Sequence, residues 1–95
     1  MIHELKIKEE FFAEILKGEK PYEVRKNDRG YREGDYLALN EIDQDGTYTN
    51  RSVLCTVKNV FYNPDYTKED YVIMTIAPCA VEKRQTCSVA YSLVI

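Results

Sequence analysis

Hydrophobic and polar positions change period twice within the first quarter of this chain. Residues 3–8 alternate, with Leu5 and Ile7 on one side and Glu4, Lys6 and Lys8 on the other. That is the pattern of a half-buried strand. Phe11, Phe12, Ile15 and Leu16 then pair at spacings of four, which places two adjacent apolar ridges on one helix face. Glu9 and Glu10 suit the positive end of that helix, Lys17 the negative end, and Gly18 supplies a left-handed stop. No good N-cap residue precedes it. Period two returns over residues 20–26, where Tyr22 and Val24 are expected to face the core and Glu23 and Arg25 the outside.

Loop chemistry follows in Asn27-Asp28-Arg29-Gly30, then a turn in Arg32-Glu33-Gly34-Asp35. Residues 36–42 read as a strand and Asp43-Gln44-Asp45-Gly46 as a hairpin turn. Residues 52–62 form a β-rich run whose alternation slips at Lys58-Asn59, where a bulge would help bend a sheet toward closure. Asn63-Pro64-Asp65 breaks that run, residues 71–76 read as a buried strand, and residues 88–95 as an edge strand or a loosely attached tail. The order is strand, helix, then several antiparallel strands on short turns. It predicts an α+β, mainly β, domain: a small, strongly bent sheet or barrel with one helix after the first strand plugging an end.

Composition bounds this picture. The 95 residues suffice for one domain with one core, spanning 1–95. The formal charge is −3, but residues 17–32 run against it. They hold Lys17, Lys20, Arg25, Lys26, Arg29 and Arg32 against Glu19, Glu23 and Asp28. Any affinity for nucleic acid must therefore come from a local patch, and strong non-specific duplex binding is not expected. Cys55, Cys79 and Cys87 form an odd set without a C-x-x-C pair, and there is one histidine. This argues against a disulfide framework and a structural zinc site, and for free thiols in a reducing compartment. The first residues, MIHELKIKEE, are charged from the third position, and no apolar run is long enough for a signal peptide or membrane span. The expectation is a cytoplasmic protein with no metal or cofactor, whose oligomeric state the sequence leaves open. Asp35, Asp43 and Asp45 lack calcium-loop spacing, and phosphate-loop, nucleotide-fingerprint and serine–histidine motifs are absent.

The candidate chemistry lies in the basic stretch. On spacing alone, Glu23 and Arg25 are a surface ion pair between i and i+2 neighbours, worth little. If something concave covers that face, the guanidinium can grip phosphate and the carboxylate can accept from the exocyclic amine of a base. Lys20 sits at the strand entry, where Pro21 can redirect the chain, and pairing with Glu23 would make an acid–base couple for activating water. The eight tyrosines mostly suit a barrel filled by rings whose hydroxyls stay wet. Tyr31, inside the basic loop, is expected to be an accessible ring on which a base could stack.

Gly18-x-Lys20-x-x-Glu23-x-Arg25 resembles the G-x-K-x-x-E-x-R signature of the ASCH domain, a branch of the PUA-like superfamily. HELKIK, FFAEILKGEK, YEVRKNDRGYREGDYLAL, YTNR and YVIM together resemble a bacterial and phage ASCH-related family of unknown function. The resemblance covers about residues 3–76 and leaves 78–95 as a C-terminal extension. It implies a PUA-like β-barrel with a helix beside a cleft and binding of RNA, a nucleotide or a modified nucleoside. By the same analogy Lys20, Glu23 and Arg25 line the cleft, with Lys26, Asn27 and Arg29 at its rim. Arg25, Lys26 and Arg29 would then contact phosphate and Glu23 would read a base edge. A related branch hydrolyses the acetyl amide of acetylated cytidine with a lysine and a threonine of this motif. Lys20 matches that lysine, whereas Glu23 stands at the threonine position, so an amidohydrolase would need Glu23 as general base on water. A third reading is a protein-interaction module, phage-related, whose patch meets an acidic partner.

Overall fold

The computed structural model describes the backbone of residues 1–85 and 88–93 and the side chains of residues 1–80. Its elements are β1 (Ile2–Lys8), α1 (Glu9–Leu16), β2 (Tyr22–Lys26), β3 (Tyr36–Ile42), β4 (Tyr48–Phe61), β5 (Tyr71–Gln85) and β6 (Ser88–Leu93). The strands form one sheet in the order β1-β3-β4-β5-β2, with β6 added to β5. Five of them curl into a half-barrel whose lips are β1 and β2. Across the seam, Arg25 Nη2 on β2 donates to the Lys6 carbonyl of β1 at 2.7 Å.

The first strand alternates as its sequence requires, burying His3, Leu5 and Ile7. α1 has no side-chain N-cap, and it ends at Lys17 with Gly18 at φ +77°, a conformation glycine adopts without a Cβ clash. Phe12 and Ile15 are fully buried, while Phe11 and Leu16 stay partly exposed. The helix thus seals the half-barrel with one residue from each ridge of its apolar face. These two side chains join Leu37, Leu39, Val53, Val57 and Met74 in a single core cluster. Each such burial stabilises by roughly 1.5–3 kcal/mol.

Four sequence expectations change. β1 and β3 pair in parallel, Ile2 opposite Tyr36 through Lys8 opposite Ile42, so the strands are not all antiparallel. After the helix the chain crosses to the far lip, forms β2 there and returns to place β3 beside β1. The sheet stops at a half-barrel rather than a closed barrel. β5 continues past Ile76 to Gln85, with Pro78 next to a register shift at which Cys79 is the extra residue opposite Leu54 and Cys55. A bulge is one of the few places a sheet accepts proline. The expected bulge at Lys58 is present between Val57 and Asn59. Residues 88–93 form a strand paired to β5; Cys87 and residues 94–95 lie outside the described residues.

The fourth change is at the candidate site. Tyr22 and Val24 are 45% and 50% exposed, whereas Glu23 is 3% exposed and Arg25 is half-buried. The strand therefore presents the opposite face to the one expected. Its antiparallel register with β5 sets Glu23 opposite Met74 and Arg25 opposite Val72, and directly opposed residues share a face. Met74 and Val72 belong to the core, so the charged pair points inward with them.

Candidate functional site

Glu23 cannot lie inside the half-barrel as a lone carboxylate, because an unpaired buried charge is costly. It is paired on both sides. Lys20 Nζ donates to Oε1 at 2.5 Å and Arg25 Nε to Oε2 at 2.8 Å. Lys20 is itself enclosed: its ammonium also donates to the Tyr22 carbonyl at 2.8 Å. It lies 5.4 Å from the centre of the Phe11 ring and 5.1 Å from that of Tyr22, within cation–π range. Gly18 and Pro21 turn the chain sharply enough to bring Lys20 back over the strand it precedes. The motif is thus a buried three-charge cluster that fixes the Arg25 guanidinium.

A second buried carboxylate repeats the arrangement. Glu41 on β3 is 1% exposed. It accepts from Thr49 Oγ1 at 2.5 Å, Arg51 Nε at 2.9 Å and Arg51 Nη2 at 2.8 Å. The Arg51 guanidinium carbon lies 4.9 Å from the centre of the Phe12 ring. Arg25 and Arg51 both line a cleft of about 590 Å³ with Glu4, Leu5, Lys6, Arg29, Asn40, Tyr48 and Asn50. Four cationic residues therefore line it with one acidic residue, Glu4, while Glu23 and Glu41 pair with two of the four. Lys6 Nζ stands 5.7 Å from the centre of the exposed Tyr48 ring. Arg29 has no carboxylate partner among the described residues. Asn50 holds φ +67°, a left-handed conformation that is uncommon for a residue other than glycine, though asparagine tolerates it best.

The structure divides the residues singled out from sequence. Arg25 and Arg29 line the cleft. Lys20 and Glu23 stand behind Arg25 and are not among its lining residues. Lys26 and Asn27 line a separate depression with Tyr62, Asp70 and Val72. Asn27 also has a local role: its Oδ1 accepts the Tyr31 N–H at 3.1 Å and its own N–H donates to the Asp70 carbonyl, tying the loop down. Tyr31 is not accessible. Only 5% exposed, it packs edge-on against His3 with ring centres 4.8 Å apart. Burial pushes its phenol above the usual pKa, and Arg25 and Arg29 oppose that shift, which places the ring within the field of both arginines. Packing against the buried face of β1 explains the burial.

Sequence reasoning missed Lys6, Glu41, Tyr48, Asn50 and Arg51. Three of these lie in the YTNR segment, whose chemistry shows only once β4 folds against β3. Among the described residues no group of histidine, cysteine and acidic side chains is placed to hold a metal, and no helix is long and apolar enough to cross a membrane. Of the cysteines, Cys55 is buried in the core, and burial pushes its thiol up to about 12. Cys79 Sγ donates to the Leu54 carbonyl.

Comparison with known proteins gives a family and a fold. A family described as "Domain of unknown function (DUF3850)" matches residues 2–76. An uncharacterised 12.9 kDa protein in the GpA 3′ region of Escherichia phage P2 is 41% identical over 73 residues, or 77% of this chain. The matched part is 65% of that relative's length. The crystal structure of a hypothetical protein, PH0355, superposes with a TM-score of 0.52 at 19% identity, covering 82% of this chain and 99% of that one.

Proposed function

The chain belongs to the DUF3850 family, and from that premise we propose that it is an RNA- or nucleotide-binding module with a PUA-like fold of the ASCH type. The ligand occupies the cleft at the seam of the half-barrel. The observation that carries this reading is the convergence of Lys6, Arg25, Arg29 and Arg51 on one concavity beside an exposed tyrosine ring. Cations supply attraction to phosphate, and Tyr48 offers a π-face for a base. The volume suits a small ligand, and one nucleotide unit at a time would fill it.

Arg25 is a poor residue to remove in a test, since its loss strands Glu23. Lys6 and Arg29 have no such duty. A thermal-shift panel of nucleosides, nucleotides and short RNAs on the wild type, Lys6→Ala and Arg29→Ala therefore tests the reading. A ligand at a hundred times its Kd stabilises by about 2.7 kcal/mol. The expected result is a clear rise in Tm for wild type and a reduced one for both variants. If no nucleotide or RNA raises the wild-type Tm, the reading is wrong.

The contact between Lys20 and Glu23 favours a second reading, amide hydrolysis on an acylated nucleoside. A general base must reach water, and here Lys20 and Arg25 each occupy one oxygen of a carboxylate set behind the cleft. Binding is thus the better supported role. Turnover of an acetylated cytidine that Glu23→Gln abolishes without loss of binding would reverse that order.

A further inference from the structure

Glu41 lies in the core phase of β3, two residues after Leu39 and four after Leu37. A leucine there would extend the core, and replacing a buried ion pair by packed apolar residues is often neutral or stabilising. What Glu41 provides instead is orientation. It takes two nitrogens of Arg51, and the Phe12 ring supports the guanidinium plane. Arg25 is restrained in the same manner, with Nε on Glu23 and Nη2 on the Lys6 carbonyl. In each arginine Nη1 has no hydrogen-bond partner among the described residues. Both side chains border the same cleft.

Two guanidinium groups held before the ligand arrives lose little further entropy on binding. The Nη1 group left free on each among the described residues, beside the second Nη2 proton, gives an end-on pair of donors that matches a tetrahedral oxyanion better than an ammonium does. We infer that Arg51, positioned by Glu41 and Phe12, forms with Arg25 a two-arginine phosphate clamp, and that the ligand presents phosphate to it. The phosphate is either the monoester of a free nucleotide or the diester of an RNA strand. This inference rests on the nucleotide-binding reading and assigns Arg51 and Glu41 roles outside the G-x-K-x-x-E-x-R motif.

Titration calorimetry on the full chain tests it with three probes: a nucleoside, its 5′-monophosphate, and a dinucleoside monophosphate without a terminal phosphate. Arg51→Lys keeps the charge and removes the fork. Its affinity for the phosphate-bearing probe is expected to fall about tenfold or more, the effect of losing a charge-assisted hydrogen bond. Glu41→Gln should weaken the same probe by releasing the guanidinium, with the phosphate-free nucleoside unaffected. Should that variant fail to fold, Arg51→Lys alone carries the test. Preference for the monophosphate identifies a monoester ligand, and preference for the dinucleotide a diester; either supports the clamp. Phosphate-bearing probes that bind Arg51→Lys within twofold of wild type overturn the clamp and leave the binding reading standing. A nucleoside that binds as tightly as both phosphate-bearing probes overturns it likewise. No binding by any probe overturns both.

Discussion

His3 is buried on β1, and its Nε2 lies 2.8 Å from Oδ2 of Asp35, which also accepts the Arg32 N–H at 3.1 Å. The His3 hydrogen bond first, and the Arg32 N–H after it, hold the Asp35 carboxyl below its ordinary pKa against some desolvation. A carboxylate with a depressed folded-state pKa contributes stability that is fully present above its unfolded value, about 3.9. That contribution is lost as pH falls through the lower folded value. Asp35→Asn should therefore be less stable than wild type at pH 6, and the gap should narrow as pH falls below about 4. Urea midpoints across that range check it; a constant gap would mean the charge is not what matters. At this scale the sequence is partly readable. Gly34 and Asp35 read correctly as a turn, and Glu41 could have been noticed as a charge in phase with Leu37 and Leu39. Glu23 gave a misleading signal, because Tyr22 and Val24 share one face of its strand and Glu23 and Arg25 the other, and the apolar face is ordinarily the buried one.

A strand of five residues is too short for its own pattern to fix which face turns inward, so neighbours decide. Among the described residues β2 pairs with β5, whose Val72 and Met74 are core residues, and the register between them carries Glu23 and Arg25 inward. The consequence is measurable on the outer face. Val24→Thr keeps a β-branched side chain at a half-exposed position and should change stability by no more than about 0.5 kcal/mol. Met74→Ala, on the strand that sets the register, should cost about 2–5 kcal/mol. If urea unfolding finds the two equally damaging, the face of β2 is assigned the wrong way round. Other elements were legible because their signals are local. The helix shows its ridges in sequence, Gly18 its stop, and Lys58 its break in alternation. The parallel pairing of β1 with β3 has no local signal, since it depends on where the chain goes between them.

The whole molecule sets a charged cleft in an acidic chain. The net formal charge is −3, yet Lys6, Arg25, Arg29 and Arg51 gather at the seam from three separate segments. No window of the sequence contains them all, so reading the basic stretch at residues 17–32 found two of the four. This distribution makes a quantitative prediction about salt. Each cation neutralising a phosphate of a single strand contributes about 0.7 to the slope of log K against log salt, so four set a limit near −3. The acidic remainder of the surface repels a long polyanion rather than adding contacts. Fluorescence anisotropy of a short labelled RNA from about 50 to 200 mM salt should therefore give a slope between −1 and about −3. Lys6→Ala and Arg29→Ala should each make it shallower by about 0.7. A slope steeper than about −4 would require phosphate contacts beyond the cleft. A flat line would mean that these four side chains do not meet phosphate at all, since neutral recognition releases no counterions.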